Sequence, residues 1–157
     1  MDARMRWTLA ALSLLLVATT SRGHAQVSAV GIRDLNFGIV IRGVPNTVSP
    51  ADPVKSGQFY FSTPGIGSRV RIQFTLPTQL NGPAGATLPI TFGTTDALLR
   101  GTAGSSANVT LNPNTTTTLT ATTSRDANVW IGGRVTPAAN QVTGAYSNTI
   151  VLTITVF

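Results

Sequence analysis

An all-β antiparallel sandwich is the fold class that this sequence predicts, on three observations. Thr, which fits pleated strands as Val does, makes up 25 of the 157 residues, 22 of them after residue 25. Gly and Pro, 15 and 9 in number, recur every few residues and leave no room for a long helix. Apolar and polar side chains alternate with period two in several short runs, and no 3.6-residue apolar stripe follows Ala25. Short alternating runs separated by turns are the pattern of antiparallel sheets packed face to face.

The elements follow in chain order. Residues 27–40 read as an extended segment with Leu35, Phe37 and Ile39 on one face. Pro45, Pro50 and Pro53 mark a loop or a poorly paired edge, because proline cannot donate to a ladder. Residues 58–62 hold three adjacent aromatics and predict a short strand. Val70, Ile72 and Phe74 alternate with Arg71 and Gln73, as on a half-buried strand. Residues 77–85 read as a loop, after which Leu88, Ile90 and Phe92 alternate again. Residues 109–111 and 119–123 are weaker strands around the run of Thr at 115–118. Residues 129–135 form a strand interrupted by Gly132 and Gly133, which predicts a bulge or bend. Residues 137–144 are the last turn region. Residues 149–157 are the strongest strand, with Ile150, Leu152, Ile154 and Val156 on one face.

The first 25 residues predict a cleaved export signal. Arg4 and Arg6 give a positive start, and residues 9–18 are apolar apart from Ser13. A membrane span needs about 20 apolar residues, so this run is too short. Gly23 and Ala25 are small residues placed for cleavage after Ala25. The expectation is a mature chain of residues 26–157 in one domain, without a transmembrane span, in the periplasm, on the cell surface, in a fimbria or in the medium. The absence of Cys means that no disulfide supports it.

Composition excludes most chemistry. Beyond residue 25 the chain has no His, Cys or Glu, and eight basic against four acidic side chains, a formal charge of +4. Without imidazole or thiolate, the usual nucleophilic triads and zinc or copper sites cannot be assembled. Asp34, Asp52, Asp96 and Asp126 fall on separate predicted loops, unlike a glycosidase pair about 5–10 Å apart. Lys55 and Ser56 supply the atoms of a Ser–Lys dyad, but in a proline-flanked segment that reads as a solvated loop. The expectation is a protein that is not an enzyme and carries no cofactor. The charge is modest and aromatics do not interleave with basic residues, so nucleic acid is not an expected partner. Arg69 and Arg71 share a strand face; an anion or polysaccharide contact is one reading, and the polar side of a half-exposed strand is the preferred one. Tyr60 and Trp130 are weighed as stacking platforms for sugars, with core or half-core packing preferred.

Three segments carry a resemblance: residues 35–40 (Leu-Asn-Phe-Gly-Ile-Val), residues 129–133 (Val-Trp-Ile-Gly-Gly), and residues 140–157 with Gly144, Tyr146 and the alternating terminal strand. Together they resemble the bacterial domain-of-unknown-function 4402 family, a relative of spore coat U proteins and archaic chaperone–usher pilins. The resemblance spans most of residues 30–157. It implies an immunoglobulin-like sandwich, exported to a bacterial surface and assembled into thin fibres. It makes Leu35, Phe37, Gly38, Gly132, Gly133, Gly144 and Tyr146 structural motif residues. This chain differs from spore coat U-like pilins in lacking Cys and in having only residues 26–34 before the first motif.

Two functions remain open at this point. One is a subunit or accessory of a pilus-like surface fibre in adhesion or biofilm, assembled by donation of a strand. Its expected partners are further copies of the chain, a periplasmic chaperone and an outer-membrane usher. The candidate donor segment is Val27, Ala29, Val30 and Ile32, and the candidate groove is flanked by Ile150, Leu152, Ile154 and Val156. The other is a self-contained secreted module that binds a carbohydrate or a surface protein.

Overall fold

The computed structural model describes residues 27, 29–100, 109–121 and 126–157. The expected export signal lies outside the described residues. These residues form strands β1 (Ala29–Arg33), β2 (Asn46–Val48), β3 (Gly57–Ser62), β4 (Arg69–Thr75), β5 (Gln79–Asn81), β6 (Thr87–Thr91), β7 (Ala97–Arg100), β8 (Val109–Leu111), β9 (Thr117–Thr120), β10 (Asp126–Ile131), β11 (Gly133–Val135) and β12 (Val151–Val156). A single 3-10 turn at Pro83–Gly85 is the only helical element among them. No helix among the described residues is long and apolar enough to cross a membrane.

Every strand pair is antiparallel, in three sheets. The first has the order β1-β3-β10-β7-β8, the second β12-β4-β9, and the third β2-β11-β6-β5. The first two pack face to face. Phe61, Leu99, Leu111 and Val129 of one sheet meet Val70, Ile72, Leu152 and Ile154 of the other in one buried cluster. Period-two alternation explains this. β4 buries Val70 and Ile72 and exposes Arg69, Arg71 and Gln73. β12 pairs with β4 in the register Leu152↔Phe74, Ile154↔Ile72 and Val156↔Val70, so its apolar face enters the same core.

The third sheet continues the sandwich beyond a bend. β10 and β11 are one chain path that pairs with β3 and β7 before Gly132, and with β2 and β6 after it. The Gly132 N–H donates to the Asp96 carbonyl at 2.8 Å. A Cβ on Gly132 would sit 2.2 Å from the Val48 carbonyl oxygen, so only glycine lets the two backbones approach this closely. The bend predicted at this Gly pair is thus where the chain changes sheets. It brings Val135 against Phe37, Val48, Leu88 and Ile90, which form a second apolar cluster.

The structure differs from the sequence reading in several places. The extended segment at 27–40 leaves strand geometry after Arg33, and Ile39 is 97% exposed while Phe37 is buried. Gly38, at a φ of 67°, turns the chain between them. The loop at 77–85 contains β5, which pairs with β6. β2, between Pro45 and Pro50, and β7 have no counterpart in the sequence reading. The terminal strand begins at Val151, and Ile150 stands outside it.

Leu152→Asp and Ile154→Asp should each prevent folding. A carboxylate at either position loses water inside the larger cluster, at a cost of several kcal/mol against a total stability of about 5–15 kcal/mol. Circular dichroism and soluble yield read the outcome; a native spectrum for both variants contradicts the assigned face. Gly132→Ala should lower the urea midpoint by the equivalent of about 1–3 kcal/mol or more, because the new methyl meets rigid backbone. Gly31→Ala, where the added Cβ has nothing within 4 Å, should be close to neutral.

Candidate functional site

A groove opens between the two sheet edges that carry the chain's N-terminal and C-terminal strands. It has a volume of about 980 Å³. One wall is the segment from Gly31 to Arg42, the other the segment from Gln141 to Ile150. Leu80, Leu88, Ile90 and Ile131 lie between them. Leu35, Phe37, Val40 and Tyr146 belong both to the second apolar cluster and to the groove lining, while Leu88, Ile90 and Ile131 at its floor are buried.

The first wall is held from outside by a turn at residues 52–56. The Asp52 carboxylate accepts the Val54 and Lys55 N–H groups, both at 2.8 Å. Those two N–H groups, Lys55 first, hold the Asp52 carboxyl below its ordinary pKa of 3.8. Buried Ser56 donates its hydroxyl to the Asp52 carbonyl at 2.6 Å and accepts Arg33 Nη2 at 3.0 Å. Arg33 Nε donates to the Ser56 carbonyl at 2.8 Å, and Nη1 to the Pro53 carbonyl. The Asn36 N–H then reaches the Lys55 carbonyl at 2.8 Å. The Ser56 hydroxyl and Arg33 are thus committed to positioning the wall. Asn46 Nδ2 donates to the Phe37 carbonyl at 2.9 Å, and Gly38 N–H to Asn36 Oδ1 at 2.8 Å.

The second wall is organised by Tyr146. Its hydroxyl donates to the Val142 carbonyl at 2.7 Å and accepts Gln141 Nε2 at 2.7 Å. Its ring occupies the space above Gly82, where a Cβ would come within 2.3 Å of it. Gly144, at a φ of 153°, packs on Pro83 in the same way. Ser147 and Asn81 exchange backbone hydrogen bonds at 3.0 and 2.9 Å, which ties this wall to β5. The two walls meet where Arg42 Nη2 donates to Thr143 Oγ1 and Gly43 N–H donates to the Ala138 carbonyl at 3.2 Å.

The N–H groups of residues 39–42 and 142–146 make no hydrogen bond to another described residue. β12 is an edge strand, paired on the β4 side alone. A groove with an apolar floor beside an edge strand is the kind of place where an extended peptide can add backbone hydrogen bonds.

The sequence-predicted residues divide as follows. Of the candidate groove residues, Ile150 lines the groove. Leu152, Ile154 and Val156 face the closed core, and their strand contributes its edge. Of the candidate donor segment, Val27 and Ala29 pack on the larger cluster of their own chain. Val30 and Ile32 point outward, 50% and 56% exposed. β1 pairs with β3 of its own chain, Ala29 opposite Phe61 and Gly31 opposite Phe59. The motif residues Leu35, Phe37, Gly38, Gly144 and Tyr146 all line the groove; Gly132 and Gly133 lie at the strand bend behind it. Sequence reasoning missed Leu80, Leu88 and Ile90 as groove residues. Leu80 falls in a segment that reads as a loop, and the alternation of Leu88 and Ile90 marks burial without saying what they face.

Other candidates lie elsewhere. Tyr60 and Trp130 do not enter either core cluster; they are half-buried on the outer face of the first sheet. The Tyr60 hydroxyl donates to Asp126 at 2.7 Å, and this carboxylate pushes its pKa above the ordinary 10.0. The Arg100 guanidinium stands 5.1 Å from the Trp130 ring centre. Among the described residues no three Asp, Glu, His or Cys side chains converge. No protein-family model matches this chain, and no curated protein matches it.

Tyr146→Phe should cost about 1 kcal/mol, from one part-buried and one exposed hydroxyl contact, and leave the fold intact. Gly82→Val should cost more, because it expels the Tyr146 ring from its seat. Tyrosine fluorescence and thermal melts distinguish the two; equal, negligible effects would show that Tyr146 does not organise the wall.

Proposed function

We propose that this chain is an exported bacterial surface protein whose sandwich is completed by an extended strand from a partner, as a subunit or accessory of a surface fibre. The observation that supports this reading most is the groove itself: apolar side chains on its floor, unpaired backbone donors on both walls, and an edge strand beside it. The resemblance of residues 35–40, 129–133 and 140–157 to the domain-of-unknown-function 4402 family, a relative of archaic pilins, points the same way, and so does the signal-like segment at residues 1–25.

The energetics are favourable. Each aliphatic side chain that a partner strand buries contributes about 1.5–3 kcal/mol, and each backbone hydrogen bond about 0.5–1.5 kcal/mol, before the cost of ordering the strand. Strand addition is head-to-tail, so a chain that both donates and accepts makes open fibres and not closed rings. In the donor role, residues 27–32 must leave β3. Val30 and Ile32, exposed on one face of β1, are then the apolar pair available to a neighbour's groove.

The pairing of β1 with β3 favours a second reading, a self-contained secreted module that binds a carbohydrate or a surface protein. Size-exclusion chromatography of residues 26–157 separates the two. The fibre reading expects a concentration-dependent ladder of species, or a need for a chaperone. Deletion of residues 26–32 should then give a protein that caps chains without extending them. A sharp, thermally stable monomer peak from the full mature chain would remove strand donation and leave the module.

A further inference from the structure

The outer face of the β12-β4-β9 sheet holds an arrangement that the groove does not use. Arg69 and Arg71 lie on alternate positions of β4, roughly 6.6–6.8 Å apart along the strand, and both point to solvent. Their guanidinium carbons stand 5.0 and 5.2 Å from the centre of one ring, that of Phe157. The Phe157 N–H donates to the Arg69 carbonyl at 3.0 Å, which fixes the ring beside the strand. Two like charges are thus drawn to a shared aromatic platform in spite of their repulsion.

Neither guanidinium forms a hydrogen bond or ion pair with another described residue. The other outward positions of this sheet are Gln73, Thr75, Thr118, Thr120, Val151, Thr153 and Thr155, so the side chains of these positions include two cations and no Asp or Glu. The register places Thr118 and Thr155 on either side of Arg71, and Thr120 beside Arg69. The result is a sheet face with two guanidinium groups held over one ring and bordered by threonine hydroxyl groups.

We infer that this face binds an acidic polysaccharide of the polyuronate type. A guanidinium fork matches a carboxylate in bidentate fashion, and two forks on one platform match carboxylates repeated along a chain. The threonine hydroxyls, each a donor and an acceptor, suit the hydroxyl groups of the sugar rings. The face has little apolar surface to enter a lipid layer, and two cations are few for a nucleic acid, whose binding grows with the number of phosphates neutralised. This surface is separate from the groove and does not depend on the fibre reading.

The test is affinity electrophoresis of the mature chain in gels containing alginate, with neutral dextran, double-stranded DNA and phosphatidylglycerol vesicles as comparison probes at physiological ionic strength. Alginate should retard the protein and dextran should not. Arg69→Gln/Arg71→Gln should weaken alginate binding roughly tenfold or more. Arg69→Lys/Arg71→Lys should weaken it several-fold, because charge is kept and the fork is lost. Phe157→Leu, with both charges kept, should also weaken it. Lys55→Gln/Arg134→Gln removes equal charge elsewhere and should leave binding unchanged. Melting temperatures of all variants should stay near that of the parent chain. The inference is overturned if alginate does not bind, if the Lys variant binds as the parent does, or if the control pair weakens binding as much as the Gln pair. DNA or vesicles bound as tightly as alginate would overturn it too. Should the Gln pair unfold, the Lys pair and Phe157→Leu decide the matter.

Discussion

Two sheet edges that run side by side without pairing govern this structure. β1 borders one sheet of the sandwich and β12 borders the other. Between Ala29 and Val156 the two sheets bury a shared apolar cluster and close on it. Beyond Arg33 and before Val151 the chain leaves strand geometry on both sides, and the sandwich opens. The sheet change at Gly132 carries the second apolar cluster to the edge of that opening, where Phe37, Leu88 and Ile90 are themselves buried and line its inner end. The motif positions Leu35, Gly38, Gly144 and Tyr146 become intelligible as parts of two walls that keep this gap in shape.

The sequence announced some of this and concealed the rest for physical reasons. Strands whose two faces differ in polarity were readable: β4, β6 and β12 alternate cleanly, because one face meets the core and the other meets water. The bend at Gly132 was readable because glycine inside a strand points to a bulge or close backbone approach. β2 and β5 were hidden. Each is three residues long, and proline or glycine neighbours mask a pattern that short. Ile39 was misplaced because alternation was carried past Gly38, where a positive φ breaks the period. The groove could not be read from the chain at all. Apolar side chains look the same in sequence whether their opposite side is filled or empty.

Side chains of the turn at residues 52–56 are engaged in holding it. Ser56 is buried and bonded on both sides, and Asp52 is engaged by two backbone N–H groups. Two surfaces stand out: a groove with an apolar floor beside the edge strand β12, and a face with two arginines on the β12-β4-β9 sheet. Completion of a sandwich by a partner's strand and adhesion to an anionic matrix are compatible, because the first uses a sheet edge and the second a sheet face.

The central claim is that residues 39–42 and 142–146 flank a vacancy for a strand. Amide hydrogen exchange, resolved to single residues, tests it most directly on residues 26–157 in dilute solution and after concentration. The account predicts fast exchange of these amides, and of the free edge of β12, in the isolated chain. Strong protection should appear there, and on no other wall of the molecule, once chains assemble. Amides already protected in the isolated chain, or unchanged by assembly, would contradict it.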